Sequence, residues 1–134
     1  MTDETVVKET LTNEMIDAGA ELIRGLDASG FELNAGLWLY MEEPNAWRLI
    51  LASPHVTKDG PNKAYQKIQS VMSKKPEDRK TISLAHISAV EHDKPIVVLL
   101  RKAVNTGKGI SGVRFSRNAV NGHYIEDSYI YRMT

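Results

Sequence analysis

From residue 31 the chain alternates, with Phe31, Leu33, Ala35, Leu37, Leu39 and Met41 on one side of a two-residue period and Glu32, Asn34, Gly36, Trp38 and Tyr40 on the other. Alternation of this kind predicts a strand, because successive side chains of a strand point to opposite faces. The residues Glu42 to Ala46 predict a turn into a second strand over 47–52. Pairing Met41 with Trp47 sets Leu39 beside Leu49 and Leu37 beside Leu51, so these four leucines are expected to form the central core. The other face then holds Trp38 near Ile50 and Tyr40 near Arg48, which predicts a hairpin covered on both sides. For Trp38, Tyr40 and Trp47 core packing is favoured over recognition, since large aromatics are so often buried.

Around this hairpin the period lengthens. Met15, Ile16, Leu22, Ile23 and Leu26 form one helical stripe, with Thr12 as cap and Ser29-Gly30 as stop. A second helix is expected after Asp59-Gly60-Pro61, with Asp59 as cap and Ala64, Tyr65, Ile68, Val71 and Met72 as its stripe, ending in the Ser-Lys-Lys-Pro of 73–76. Thr81 to Val90 reads as a strand. Asp93, Lys94 and Pro95 then start a third helix, with Asp93 as cap, that runs through Ile96, Leu99, Leu100, Ala103 and Val104 and closes at Gly107. Two last strands, 110–119 and 123–132, flank Asn121-Gly122, the strongest short hairpin signal in the chain. The expected order is α-β-β-α-β-α-β-β. It describes a single α+β domain over 11–134, with a mixed, mainly five-stranded sheet, two β-hairpins and three helices, preceded by a disordered or loosely attached tail over 1–10.

Composition narrows the function more by exclusion than by assignment. With 134 residues, 42% of them hydrophobic and 25% charged, the chain can bury a real core as one domain. The absence of cysteine removes disulfides, thiolate zinc sites and a cysteine nucleophile. The polar, acidic N-terminus lacks the pattern of a signal peptide, and the longest apolar run, Pro95 to Leu100, is too short to span a bilayer. The expectation is a cytoplasmic protein with no membrane partner.

Zero net charge hides an uneven layout: residues 1–60 sum to −7 and residues 61–134 to +7. From Lys94 to Ile125 there are six basic residues and no acid, and Arg101, Lys102, Lys108 and Arg117 are the anion-binding candidates. Folding can equally lay the acidic half beside them and make the asymmetry internal.

Gly107, Gly109 and Gly112 have the spacing of a dinucleotide loop. In that motif, however, the glycines follow a strand and open a helix, so that amides face the phosphates. Here they close a helix and lead into a strand, which predicts a structural helix stop with Gly107 at positive φ. A phosphate-binding loop of the Walker type also fails, for want of a Ser/Thr after Lys108. Catalytic pairs are equally poor. His123 and Glu126 point to opposite faces of a strand, Asp93 is explained as a cap beside His92, and His55 and His86 lack a partner at metal-ligand spacing.

The final hairpin is more informative. Its turn sends Val113, Phe115 and Ile130 to the core and collects Arg114, Ser116, Asp127, Tyr129 and Tyr131 on the other face. Such a face is either the wet side of the sheet or a binding surface for a planar or phosphorylated ligand. The leading expectation is a non-enzymatic module that binds another protein or itself, with no cofactor and no metal. The alternative is a phosphate-directed protein, either a nucleic-acid binder or a metal-dependent phosphodiesterase, using the basic C-terminal half.

Overall fold

A computed structural model describes residues 8–74 and 82–134. Helix α1 spans Asn13–Ala28, and its cap is the expected one: the Thr12 hydroxyl accepts from the Met15 amide at 3.1 Å. The helix stops at Ser29, followed by Gly30 at φ +80°. Strands β1 (Ala35–Met41) and β2 (Ala46–Ala52) form the first hairpin. Two helices follow, α2 (Pro54–Asp59) and α3 (Pro61–Ser73), before a 3-10 turn at Leu84–His86 and strand β3 (Ile87–Val90). Then come α4 (Pro95–Arg101), β4 (Val113–Arg114), β5 (Asn118–Val120), β6 (His123–Ile125) and β7 (Ser128–Met133).

The main sheet has five strands in the order β3-β2-β1-β7-β4, with β3 parallel to β2 and every other pair antiparallel. The fold is therefore the expected α+β type with a mixed sheet. Helix α2 is additional to the three helices expected. Its signal was present in Ser53-Pro54: the Ser53 hydroxyl accepts from the His55 amide at 3.1 Å, and Pro54 occupies the first helical turn, where its missing N–H costs nothing. The cap of α3 is consequently Gly60 at φ +90° and not Asp59, which ends α2. Thr81, the expected start of the third strand, and Lys75 and Pro76 at the expected end of the second helix lie outside the described residues.

Both faces of the sheet are buried. On one, α1 and α3 deliver Leu22, Ile23, Leu26, Ile68 and Val71 against Trp38, Leu49, Leu51 and Tyr131. On the other, Val97 and Leu100 of α4 meet Leu37, Leu39, Ile50 and Ile130, with Ile125 from the second hairpin. This division corrects the expected register by one residue. The turn has four residues, because Asn45 at φ +66° completes it and Ala46 already pairs with Met41. Leu37 thus faces Ile50, and Leu39 faces Arg48, while Leu49 and Leu51 lie on the α1 side. A slip of one residue turns every side chain over, yet all four leucines are buried, because both faces here are apolar.

The second hairpin keeps its expected register throughout. Asn121 (φ +50°) and Gly122 (φ +82°) make the two-residue turn between Val120 and His123, a turn that needs positive φ twice. The same register continues through Arg117 N–H to Glu126 O, Phe115 N–H to Ser128 O and the Arg114–Tyr129 pair. The long hairpin is bent where Arg117 adopts φ +46°, so β4 and β7 join the main sheet while β5 and β6 form a separate ribbon.

Helix α4 ends earlier than expected. Its C-cap is Lys102, and its N-cap is Lys94 without a side-chain bond, so Asp93 is not a cap. Gly107 does adopt positive φ, +78°, but serves a turn that bridges to Met133 rather than a helix stop. The chain leaves the helix at 102 because the Thr106 hydroxyl and amide bond the backbone of Met133, which draws this segment onto the end of β7.

A buried polar relay ties α1 to the sheet. The Trp38 indole N–H donates to the Tyr131 hydroxyl at 2.9 Å, which in turn donates to Ile16 O at 2.6 Å. The approach is possible because Gly19 lies over the tyrosine, where a Cβ would collide with its hydroxyl. Tyr131→Phe strands a buried indole N–H and a helix carbonyl, and should lower the unfolding free energy by about 1 to 3 kcal/mol. Denaturant titration checks this, and a loss within about 0.5 kcal/mol, the scale of a surface substitution, would show that the relay is not a stabilising link.

Candidate functional site

The residues expected on one face of the last hairpin do share it, but two different environments divide them. Tyr129 and Tyr131 meet edge to face at 5.4 Å between ring centroids, and Tyr131 is buried beneath α1. Burial pushes its phenol well above the ordinary tyrosine range, against the favourable bond from Trp38. The wet-side expectation is thus corrected at Tyr131, which helix α1 covers because Gly19 lets the helix approach the ring, while Arg114 on the same face stays exposed.

Asp127 organises the second environment, just before β7. Its carboxylate accepts from Arg114 Nε and Nη2, both at 2.7 Å, from Ser116 Oγ at 2.8 Å and from Lys8 Nζ at 2.7 Å. The carboxylate is 4% exposed, whereas Arg114 is 49% and Lys8 39% exposed. Burial alone would raise the Asp127 pKa. The hydrogen bonds from Arg114, Lys8 and Ser116 outweigh it and hold the group well below the usual carboxylate range. Arg114, raised first by its bond to Asp127, stays charged.

Lys8 was not a candidate from sequence, and it completes this corner. Its ammonium lies 5.3 Å from the centroid of Tyr40 and 5.9 Å from that of Trp47, with Glu126 at 3.9 Å. The Arg114 guanidinium also lies over Trp47, at 5.6 Å. Next to Lys8, the Glu9 amide donates to Asn45 Oδ1 at 3.0 Å and its carbonyl accepts from Trp47 Nε1 at 2.8 Å. Within the tail expected over 1–10, residues 1–7 lie outside the described residues, while Lys8 and Glu9 make these contacts. The signal in the sequence was slight: Lys8 is the only basic residue before Arg24.

The anion-binding candidates are divided, with Arg117 set apart from the other three. Arg101 donates to the Thr134 and His92 carbonyls, and Lys108 follows the Gly107–Met133 bridge, which places both near the C-terminal end of β7. Arg117, joined to Glu126, lies beyond the other end of that strand. Lys102 caps the exposed end of α4. Asp27 and Arg132 pair across the acidic and basic halves, at 2.7 Å, so part of the charge asymmetry is internal.

The histidines serve local contacts. His55 stacks on Phe31 at 5.1 Å and faces Asp59 at 3.4 Å, a pairing one helical turn apart that follows from the unexpected α2. His86 Nδ1 accepts from the Ser83 amide at 3.2 Å, and His123 Nδ1 lies 3.2 Å from Asn121 O. Among the described residues no group of three His, Asp or Glu side chains is placed to hold a metal, and no helix is long and apolar enough to cross a membrane. A cleft of about 420 Å³ is lined mainly by apolar side chains of α1 and α3, with the charged pair Glu21 and Arg24 at one side. Compared with protein-family models, with curated proteins and with solved structures, the chain matches none.

Proposed function

We propose that this chain is a small non-enzymatic module that works by binding protein, and that a second copy of itself is the partner its exposed hairpin fits. One observation carries the reading. Among the described residues the two exposed large hydrophobics, Tyr124 at 57% and Met41 at 37%, lie at the same end of the molecule. Tyr124 stands on the β5–β6 ribbon, and the Tyr40 N–H to Asp127 O bond at 3.0 Å sets the Met41 end of β1 beside the segment that leaves β6. That ribbon pairs only with itself among the described residues, so the outer edges of β5 and β6 present backbone groups for strand addition. A free strand edge is self-complementary under a two-fold axis, and tyrosine is among the residues that anchor interfaces best. The outer edge of β3, in contrast, is closed by Tyr65, whose hydroxyl accepts from the Ala89 amide at 3.0 Å. The phosphate-directed alternative has less support, because Arg101 is engaged by the Thr134 and His92 carbonyls and Arg117 lies at the opposite end of β7 from it.

Sedimentation velocity over a wide concentration range tests the proposal. A reversible dimer is expected, weakened about tenfold or more by Tyr124→Ala, as for an interface anchor. The same substitution should leave the unfolding free energy within about 0.5 kcal/mol, because the side chain is outside the core. A chain that stays monomeric throughout, or a dimer indifferent to Tyr124→Ala, would overturn it.

A further inference from the structure

The corner occupied by Lys8 has the chemistry of a recognition site for a lysine in a segment without regular secondary structure. Ammonium groups are held where aromatic faces and carboxylates converge. Tyr40 and Trp47, inclined at 59° with centroids 5.6 Å apart, present two faces, while Asp127 and Glu126 supply the negative charge. The neighbouring Asn45 and Trp47 satisfy both backbone groups of one residue, Glu9, through side chains alone. Such a clamp reads peptide backbone whatever the side chain at that position, and the ammonium site beside it reads the lysine. Asn45 is held for this task by the Tyr40 hydroxyl and by its place in the β1–β2 turn. The site is continuous with the proposed docking end, since Glu126, which pairs with Lys8 at 3.9 Å, directly follows β6, the strand that carries Tyr124.

We propose that this corner binds a lysine-bearing segment of a partner protein, and that the chain's own Lys8–Glu9 is its built-in competitor. The inference rests on the protein-binding reading but uses a different surface from the hairpin edge. The partner's segment must displace a tethered one, whose effective concentration is on the order of millimolar. Weakening the tethered lysine should therefore open the site. Exchange of this segment between two copies is disfavoured by its length, because only three residues separate Lys8 from Thr12, the cap of α1, with Leu11 buried among them.

The probe is an acetylated, amidated peptide with the sequence of residues 4–12, Glu-Thr-Val-Val-Lys-Glu-Thr-Leu-Thr, titrated into the full-length Lys8→Ala protein. The readout is the indole N–H resonance of Trp47, with Trp38, the other tryptophan, buried and serving as the internal reference. Saturable binding is expected, about tenfold or more tighter than to the unmodified chain and than with norleucine in place of the lysine. Glu126→Gln in the Lys8→Ala background should weaken it as well. Equal binding of the lysine and norleucine peptides, or no movement of the Trp47 signal, would overturn the proposal. So would n-butylamine binding as tightly as the peptide, since the backbone clamp would then add nothing, and so would a new dimer in which the segments are exchanged. Dimerisation through Tyr124 is scored separately: its loss with peptide binding intact refutes only the hairpin reading, and the converse refutes only this one.

Discussion

Leu37→Ala should lower the free energy of unfolding by about 2 to 5 kcal/mol, the range for buried leucines truncated in a packed core. Leu37 is fully buried on the central strand β1, with Ile50 across from it on β2 and Ile130 across from it on β7. Val97 and Leu100 of α4 belong to the same cluster. Cross-strand neighbours stand about 5 Å apart at Cβ, so the vacated space is bounded on both sides by side chains whose strands are hydrogen-bonded in place. Leu39, at 8% exposure near the rim, should fall at the low end of the same range. A denaturant titration of Leu37→Ala that shows less than about 1 kcal/mol would mean that the α4 side of the sheet is not packed. A double-mutant cycle then distinguishes the two registers. Leu37→Ala and Ile50→Val, whose side chains touch, should couple by about 0.5 kcal/mol or more, whereas Leu37→Ala and Leu51→Ala, on opposite faces, should be additive to within about that amount.

The register shows where sequence pattern loses its power. Alternation located β1 and β2 because burial on either face needs only apolar residues at every second position. It did not fix which leucines share a face, since Leu49, Ile50 and Leu51 are consecutive and apolar, and a slip of one residue exchanges two equally acceptable sets. The second hairpin was legible in register because Asn121-Gly122 specifies its turn chemically. Thr12 and Ser29-Gly30 were legible for the same reason, since each satisfies backbone groups that the helix itself leaves unpaired. Asp93 and Gly107 had the right residue types for caps, yet the Lys94 carbonyl accepts the first bonds of α4, so the cap is Lys94, and at the other end the chain is drawn off α4 early by bonds between Thr106 and Met133, a contact 27 residues apart that no local rule contains. The candidate site was half legible. Parity grouped Arg114, Ser116 and Asp127, while Lys8, Tyr40 and Trp47 join them only through tertiary contacts.

Asp127→Asn should lower stability at neutral pH by about 3 kcal/mol, the lower end of the range for breaking a buried pair, because the Arg114 left behind is half exposed and can rehydrate. The pH dependence follows from the direction of its shift. Although burial, the largest influence, disfavours the charged form, the bonds from Arg114, Lys8 and Ser116 place the folded pKa below the unfolded value, near 3.9 for an aspartate. A carboxylate shifted in that direction binds its proton more readily in the unfolded chain. Its contribution to stability is therefore complete above the unfolded pKa and is lost as pH falls through about 4 toward the folded value. The unfolding free energy of the unmodified chain should thus drop steeply below about pH 4. Asp127→Asn should start from a lower neutral plateau and descend more gently, so that the two curves converge in acid. The measurement is a set of denaturant titrations between neutral pH and the acid limit. Parallel curves for the two proteins, separated by the same amount at every pH, would show that the Asp127 carboxylate is not held ionised by Arg114 and Lys8, and would remove the electrostatic basis of the corner in which Lys8 is seated.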